Sequence, residues 1–184
     1  HIEILPKNPD ALVERALKRL GLDEPNQIVE VLPLPGAPTS FFDGRNMKIH
    51  TILKEIVDLS AIPSRSMLEL FATLATEEAD AIRLQDLADN LSVNSEYDKL
   101  SRGIFSIVDL LEMFPKLPVS LAQLMSHAPH IVPRTYSLAN DNAKEHHEKF
   151  EIAYTTPTRW SGDQTHVGLC SGFMDSLAAG DHAW

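Results

Sequence analysis

The chain has 184 residues, 43% of them apolar and 23% charged, which describes one soluble domain or two small ones with a sizeable buried core. Its 16 Lys and Arg against 26 Asp and Glu leave a formal charge of −10 at pH 7, which argues against a phosphate backbone or an anionic membrane as the main partner. The single cysteine, Cys170, excludes an internal disulfide framework and a thiolate-rich zinc site and points to a reducing compartment, and no apolar run approaches the ~20 residues of a membrane span.

Residues 1–5 alternate apolar and polar side chains as a half-buried strand does, and Pro6 ends the run. Residues 1–7 carry neither a charged leader nor a long apolar stretch, so no signal peptide is read there. Asn8 is the expected N-cap of a helix with Pro9 at its first position, a face of Leu12, Val13, Ala16, Leu17 and Leu20, and Gly21 as its stop. Residues 28–32 predict a short strand, followed by a Pro- and Gly-rich loop that marks a subdomain boundary. From Asn46 to about His127 the spacing is helical, beginning with the stripe Ile49, Ile52, Leu53, Ile56 and Val57. Ser64 and Thr76 are the expected caps of the next two helices, residues 91–99 read as irregular, and a helix carrying Ile104, Ile107, Val108 and Leu111 must stop near Pro115. Residues 119–126 give a last short helix. Beyond Pro133 the pattern returns to strands, with residues 150–155 alternating and residues 166–168 running into a turn and a helix over 170–177. A helical block bracketed by β segments predicts an α+β chain in which one subdomain is inserted into another.

Two stretches carry chemistry. Arg134-Thr135-Tyr136-Ser137 places a cation and an aromatic ring on one face of a strand and a hydroxyl on the other or at its edge. An arginine fork can hold a pyrophosphate, a tyrosine ring can pack on a flat heterocycle and a hydroxyl can bond a ring nitrogen, but the same residues also describe an ordinary strand with a surface Arg and a half-buried Tyr. Gly168-Leu169-Cys170-Ser171-Gly172-Phe173-Met174 precedes or opens a helix, where free amides and a hydroxyl suit a phosphate; a plain strand-turn-helix corner is the other reading. His146 and His147, flanked by Glu145 and Glu148, lack a third ligand and read as a solvated loop, not a metal site.

Together these stretches make the chain resemble the diflavin reductases. Arg134-Thr135-Tyr136-Ser137 matches that family's R-x-Y-S motif, and Gly168-Leu169-Cys170-Ser171 with Phe173-Met174 matches G-V-[AC]-[ST]-x-W-[LM]. The segments Ile4-Leu5-Pro6-Lys7-Asn8-Pro9 and Asp109-Leu110-Leu111-Glu112-Met113-Phe114-Pro115 fall in the family's order. The resemblance implies a partial antiparallel flavin-binding β-barrel of the ferredoxin-reductase-like kind, holding FAD, over residues 1–45 and 129–184. An all-helical connecting subdomain over residues 46–128 interrupts it. Carried over, Arg134 binds the pyrophosphate, Thr135 belongs to the same cofactor-binding strand and Tyr136 packs against the isoalloxazine. Ser137, the catalytic residue, hydrogen-bonds near the reactive nitrogen. Ile152, Ala153 and Tyr154 give backbone contacts to the flavin, and Gly168, Leu169, Cys170 and Ser171 hold flavin and phosphates. Trp160 stands where members carry an aromatic platform for adenine, the alternative being a loop tryptophan packed on the barrel. No metal is implied.

The family also implies parts this stretch does not contain: earlier barrel strands, a flavodoxin-like FMN domain and an NADPH-binding domain, with a downstream redox protein as acceptor. The chain therefore reads as the middle of a longer protein on the cytoplasmic side, passing electrons from NADPH through FAD to FMN. The competing expectations are a helical scaffold or interaction module that in this form no longer binds FAD, and a site for some other nucleotide. Ile104 and Phe105 stand where the family often has a basic residue, and Phe173 replaces its usual Trp.

Overall fold

A computed structural model describes residues 1–33, 42–102, 105–140, 150–156, 158–161 and 164–181, with the backbone alone described at 158–161 and 164–166. The initial alternation forms β1 (Ile2–Ile4). Helix α1 (Asp10–Leu20) follows, but its N-cap is Pro9, and no side chain caps it. Asn8 is instead wholly buried, and its amide donates to the carbonyls of Leu53 at 2.7 Å and Val57 at 2.6 Å. Carbonyls left over at the end of a neighbouring helix, sealed from water, claim the amide in preference to helix-start amides that solvent can reach. At the far end Gly21 takes the expected left-handed conformation, φ 64°, and its amide returns to the last turn.

Strand β2 (Ile28–Glu30) pairs antiparallel with β3 (Asn46–Lys48), so Asn46 opens a strand and not the helical block. Val29 lies opposite Met47, and both pack on the main core; helical spacing takes hold at α2 (Ile49–Glu55). Ser64 caps α3 (Arg65–Leu74) as expected, accepting from the Met67 amide at 3.2 Å. Helix α4 (Glu78–Asp89) starts after Glu77 with no side-chain cap, so Thr76 does not serve; Glu78 and Asp80 in its first turn complement the helix dipole. Residues 96–99, expected to be irregular, form the first part of α5 (Glu96–Arg102). None of its residues is fully buried, so it shows little apolar period; it is held by Tyr97 and Leu100, which pack in part on the main core, by the Tyr97 hydroxyl donating to the Pro63 carbonyl at 3.0 Å, and by the Asp98–Arg102 ion pair at 3.0 Å. Helix α6 (Ile107–Met113) opens with a reciprocal Ser106–Asp109 capping box and ends at Phe114, and α7 (Leu121–His127) has the same device in Ser120 and Gln123. Ile104 lies outside the described residues.

Strand β4 (Arg134–Tyr136) returns beside β1 in antiparallel register, Ile4 opposite Arg134 and Ile2 opposite Tyr136. The strand expected over residues 150–155 reduces to one bridge, Ile152 to Leu138, because the side chains of Tyr154 and Thr156 turn to a helix carboxylate. Strands β5 (Thr158–Ser161) and β6 (Gln164–Val167) pair antiparallel, and α8 (Leu169–Ser176) follows. The described strands thus form three separate two-stranded antiparallel sheets and no closed barrel, so the fold is mixed helix and sheet.

Two apolar cores organise the chain. The larger joins Val13 and Ala16 of α1 to Ile52, Leu53, Phe71, Leu84, Leu111 and Leu124, each at most 1% exposed. A fully buried Leu or Phe is worth roughly 1.5–3 kcal/mol over exposure, so this helical core dominates the stability. Polar links reinforce it. Arg15 reaches Asp109 and Glu112, both at 2.6 Å, and Arg19 donates to the carbonyls of Leu111, Phe114 and Leu117 at the end of α6. The smaller core is Ile4, Cys170 and Met174, with Tyr136, Ile152 and Phe173 packed on it. No helix among the described residues is long and apolar enough to cross a membrane.

Candidate functional site

The small core brings the two motifs together. Strand β1 supplies Ile4, β4 supplies Tyr136, the following segment supplies Ile152, and α8 supplies Cys170, Phe173 and Met174. Antiparallel pairing with β1 fixes where Tyr136 sits, and the helical repeat of α8 turns Cys170 and Met174 to the same side. Gly172 lets α8 lie close to the end of β6, since a Cβ at that position would meet Val167 Cγ1 at 3.1 Å.

Tyr136 is half-buried and, with Ala153, Tyr154 and Thr155, lines a cavity of about 420 Å³, a size within the usual range for small-molecule sites. The adjacent Cys170 thiol, and then burial, push the Tyr136 hydroxyl up to about 12, with the Arg134 charge opposing them only in part. The phenol, like any tyrosine, is neutral at physiological pH, and its ring offers a flat apolar wall. Cys170 is buried, forms no disulfide among the described residues, and serves as a small core side chain.

Ser137 lies just past β4, exposed, with Oγ 3.3 Å from Nδ1 of His1. Thr135 is exposed opposite Glu3. Arg134 is exposed and takes part in none of the ion pairs among the described residues. It lines a second, larger cavity of about 1000 Å³, bounded also by Val29, Phe42, Met125 and His130, so Arg134 and Tyr136 face different cavities. At α8, Gly168 is the N-cap, and the first-turn amides have no partner within the helix. The Ser171 hydroxyl donates to the Gly168 carbonyl at 3.3 Å. The start of α8 is thus the positive end of a helix dipole with donors to spare.

Segment 152–156 has little ladder of its own. Its Ile152 bridge is supplemented by Asp175 of α8, which accepts from the Tyr154 hydroxyl at 2.8 Å and from Thr156 Oγ1 at 2.7 Å. These bonds, Thr156 first, hold the Asp175 carboxyl below its ordinary value and in return raise the Tyr154 hydroxyl. Asp175, Thr156 and His1 were not signalled in the sequence. Asp175 stands four residues after Ser171, a spacing any exposed helix provides. Trp160 sits in β5 opposite Thr165, and its side chain lies outside the described residues, as do His146 and His147.

Taken residue by residue, these groups suit a ligand with an anionic linker and a flat heterocycle: a guanidinium with no carboxylate partner among the described residues and a helix start for phosphate, a phenol ring for stacking, and exposed residues 153–155. Comparison with known proteins agrees. The family model described as "FAD binding domain" matches residues 1–173. The chain is 29% identical over 186 residues to "NADPH-dependent diflavin oxidoreductase 1" of Arabidopsis thaliana, covering 96% of this chain and 29% of that protein. It is 29% identical to "NADPH--cytochrome P450 reductase" of Dictyostelium discoideum, covering 98% of this chain and 27% of the relative. It is likewise 29% identical to "Nitric oxide synthase, inducible" of Homo sapiens, covering 98% of this chain and 16% of the relative. The chain thus spans less than a third of the length of each.

Proposed function

The chain belongs to the FAD binding domain family, and from that membership we propose that it forms the FAD-carrying part of an NADPH-dependent diflavin oxidoreductase. The single observation that supports this best is the junction of the two motifs, Tyr136 and Cys170, in one small core beside a ligand-sized cavity. FAD, when bound, supplies the exchange between two-electron and one-electron chemistry. The residues bind and orient it. Arg134 holds the pyrophosphate by charge-assisted hydrogen bonds, with Thr135 on the same strand. Tyr136 packs against the isoalloxazine, held beside Cys170 in the small core. The backbone of Ile152, Ala153 and Tyr154 borders the ring. Gly168, Leu169, Cys170 and Ser171 present the amides of the α8 start to flavin and phosphates, and Trp160 takes the adenine. Ser137 donates a hydrogen bond near the reactive nitrogen, with His1 as its neighbour.

In this reading residues 1–45 and 129–184 belong to a flavin-binding barrel and residues 46–128 to a helical connecting subdomain. The separation of the two cores supports that division, although α1 and β2 pack on the helical side of it. Electrons pass from an NADPH-binding domain through FAD to a flavodoxin-like FMN domain and on to a redox protein, all on the cytoplasmic side. The printed names of the relatives, a cytochrome P450 reductase and a nitric oxide synthase among them, support partners of that kind.

The test is Arg134→Ala. Loss of a charge-assisted contact is worth about 1.5–3 kcal/mol, so FAD should bind roughly ten- to hundredfold more weakly in a titration. Unchanged flavin occupancy would overturn the assignment. Ser137→Ala should keep FAD bound and slow its reduction by a chemical or enzymatic donor.

A further inference from the structure

In an extended chain alternate residues face the same side, and Tyr154 and Thr156 obey that period by turning together to α8. Both end on one carboxylate, Asp175, which accepts their hydroxyls through its two oxygens at 2.8 and 2.7 Å. Between them, Thr155 is carried along, and Ala153, Tyr154 and Thr155 wall the smaller cavity together with Tyr136. Among the described residues, the backbone pairing of this segment is the bridge at Ile152. Beyond it the wall shows no ladder among the described residues, so the position of its backbone depends on what Asp175 holds.

We infer that Asp175 is a positioning residue for the flavin: by clamping Tyr154 and Thr156 to α8 it fixes the backbone of residues 153–155 against the cavity that Tyr136 shares. This rests on the FAD reading of that cavity. Asp175 and Tyr154 are exposed, so each hydrogen bond alone adds little to the stability of the whole chain. Their effect is local. They remove conformational freedom from a segment that otherwise must be ordered when the ligand binds, and that ordering is then no longer subtracted from affinity.

The experiment is FAD titration of the intact protein, with thermal unfolding of the FAD-free form and visible circular dichroism of the bound flavin. Asp175→Ala should weaken FAD binding about tenfold and change the visible dichroism at saturation, while the unfolding temperature of the FAD-free form stays that of the parent. Asp175→Asn, which keeps one acceptor oxygen, should fall between, and Asp175→Glu should recover much of the affinity. In the Asp175→Ala background, Tyr154→Phe and Thr156→Ala should add almost nothing, since all three act as one unit. Wild-type affinity with unaltered dichroism in Asp175→Ala overturns the inference. So does a loss of affinity that only tracks a lowered unfolding temperature. If the parent protein takes up no FAD, or its uptake ignores Arg134→Ala, it is the FAD reading that fails.

Discussion

Asn8 ties the strand that carries the site to the helical core, and its replacement gives a sharp test of that packing. Its side-chain amide satisfies the Leu53 and Val57 carbonyls, and its backbone amide donates to Lys54 O at 2.9 Å, so one residue completes the end of α2. Asn8→Ala strands two buried carbonyls, at about 1–3 kcal/mol each. It also deletes Asn8 Oδ1, a buried acceptor with no partner among the described residues, which returns one such amount. A small void remains. The net loss should be about 2–3 kcal/mol, a large part of the 5–15 kcal/mol typical of a domain. Asn8→Asp should be worse at neutral pH, because it points a second carboxylate oxygen at two carbonyls. It should recover in acid, where the buried carboxyl takes up a proton and regains one donor. Urea unfolding followed by far-ultraviolet circular dichroism measures both. A loss under about 0.5 kcal/mol in Asn8→Ala, or an Asn8→Asp no worse than Asn8→Ala at neutral pH, would refute the reasoning.

Asp109 gives a pH prediction. Burial pushes its carboxyl upward, but hydrogen bonds from Ser106 and Arg15 outweigh that and hold it below the ordinary value. Its folded-state pKa is lowered, so its contribution is complete above about pH 4 and drains away as pH falls further; Asp109→Asn should flatten that acid limb of the stability curve. Arg15→Ala should move the acid limb to higher pH, because Asp109 then keeps only its Ser106 bonds, and an unchanged acid midpoint would show the Arg15 contact to be idle.

The helices were legible where an apolar face repeats: α1, α2 and α6 bury residues their spacing marks, and α3 was legible from its Ser64 cap. Helix α5 was not, because no residue of it is fully buried and only Tyr97 and Leu100 pack in part on the core, too few to set up an apolar repeat. Asn8 read as a cap, since local sequence cannot show that the carbonyls of a later helix lie beside it. Residues 150–155 alternate like a strand, yet alternation records only which side a residue faces, and here Tyr154 and Thr156 face α8 in place of a ladder partner. Within the site, residues 134–137 and 168–171 stood out because a cation, a ring, a hydroxyl and a glycine-led helix start are each chemically specific. Asp175 and His1 did not, for their meaning comes wholly from what the fold sets against them.

The most direct measurement is the flavin content of the purified protein after incubation with FAD and removal of excess. The account predicts a yellow protein with near-stoichiometric FAD and a raised unfolding temperature. A colourless protein that FAD does not stabilise contradicts it and leaves the helical scaffold, while stabilisation by ADP-ribose without FAD uptake would mark the site as that of another nucleotide.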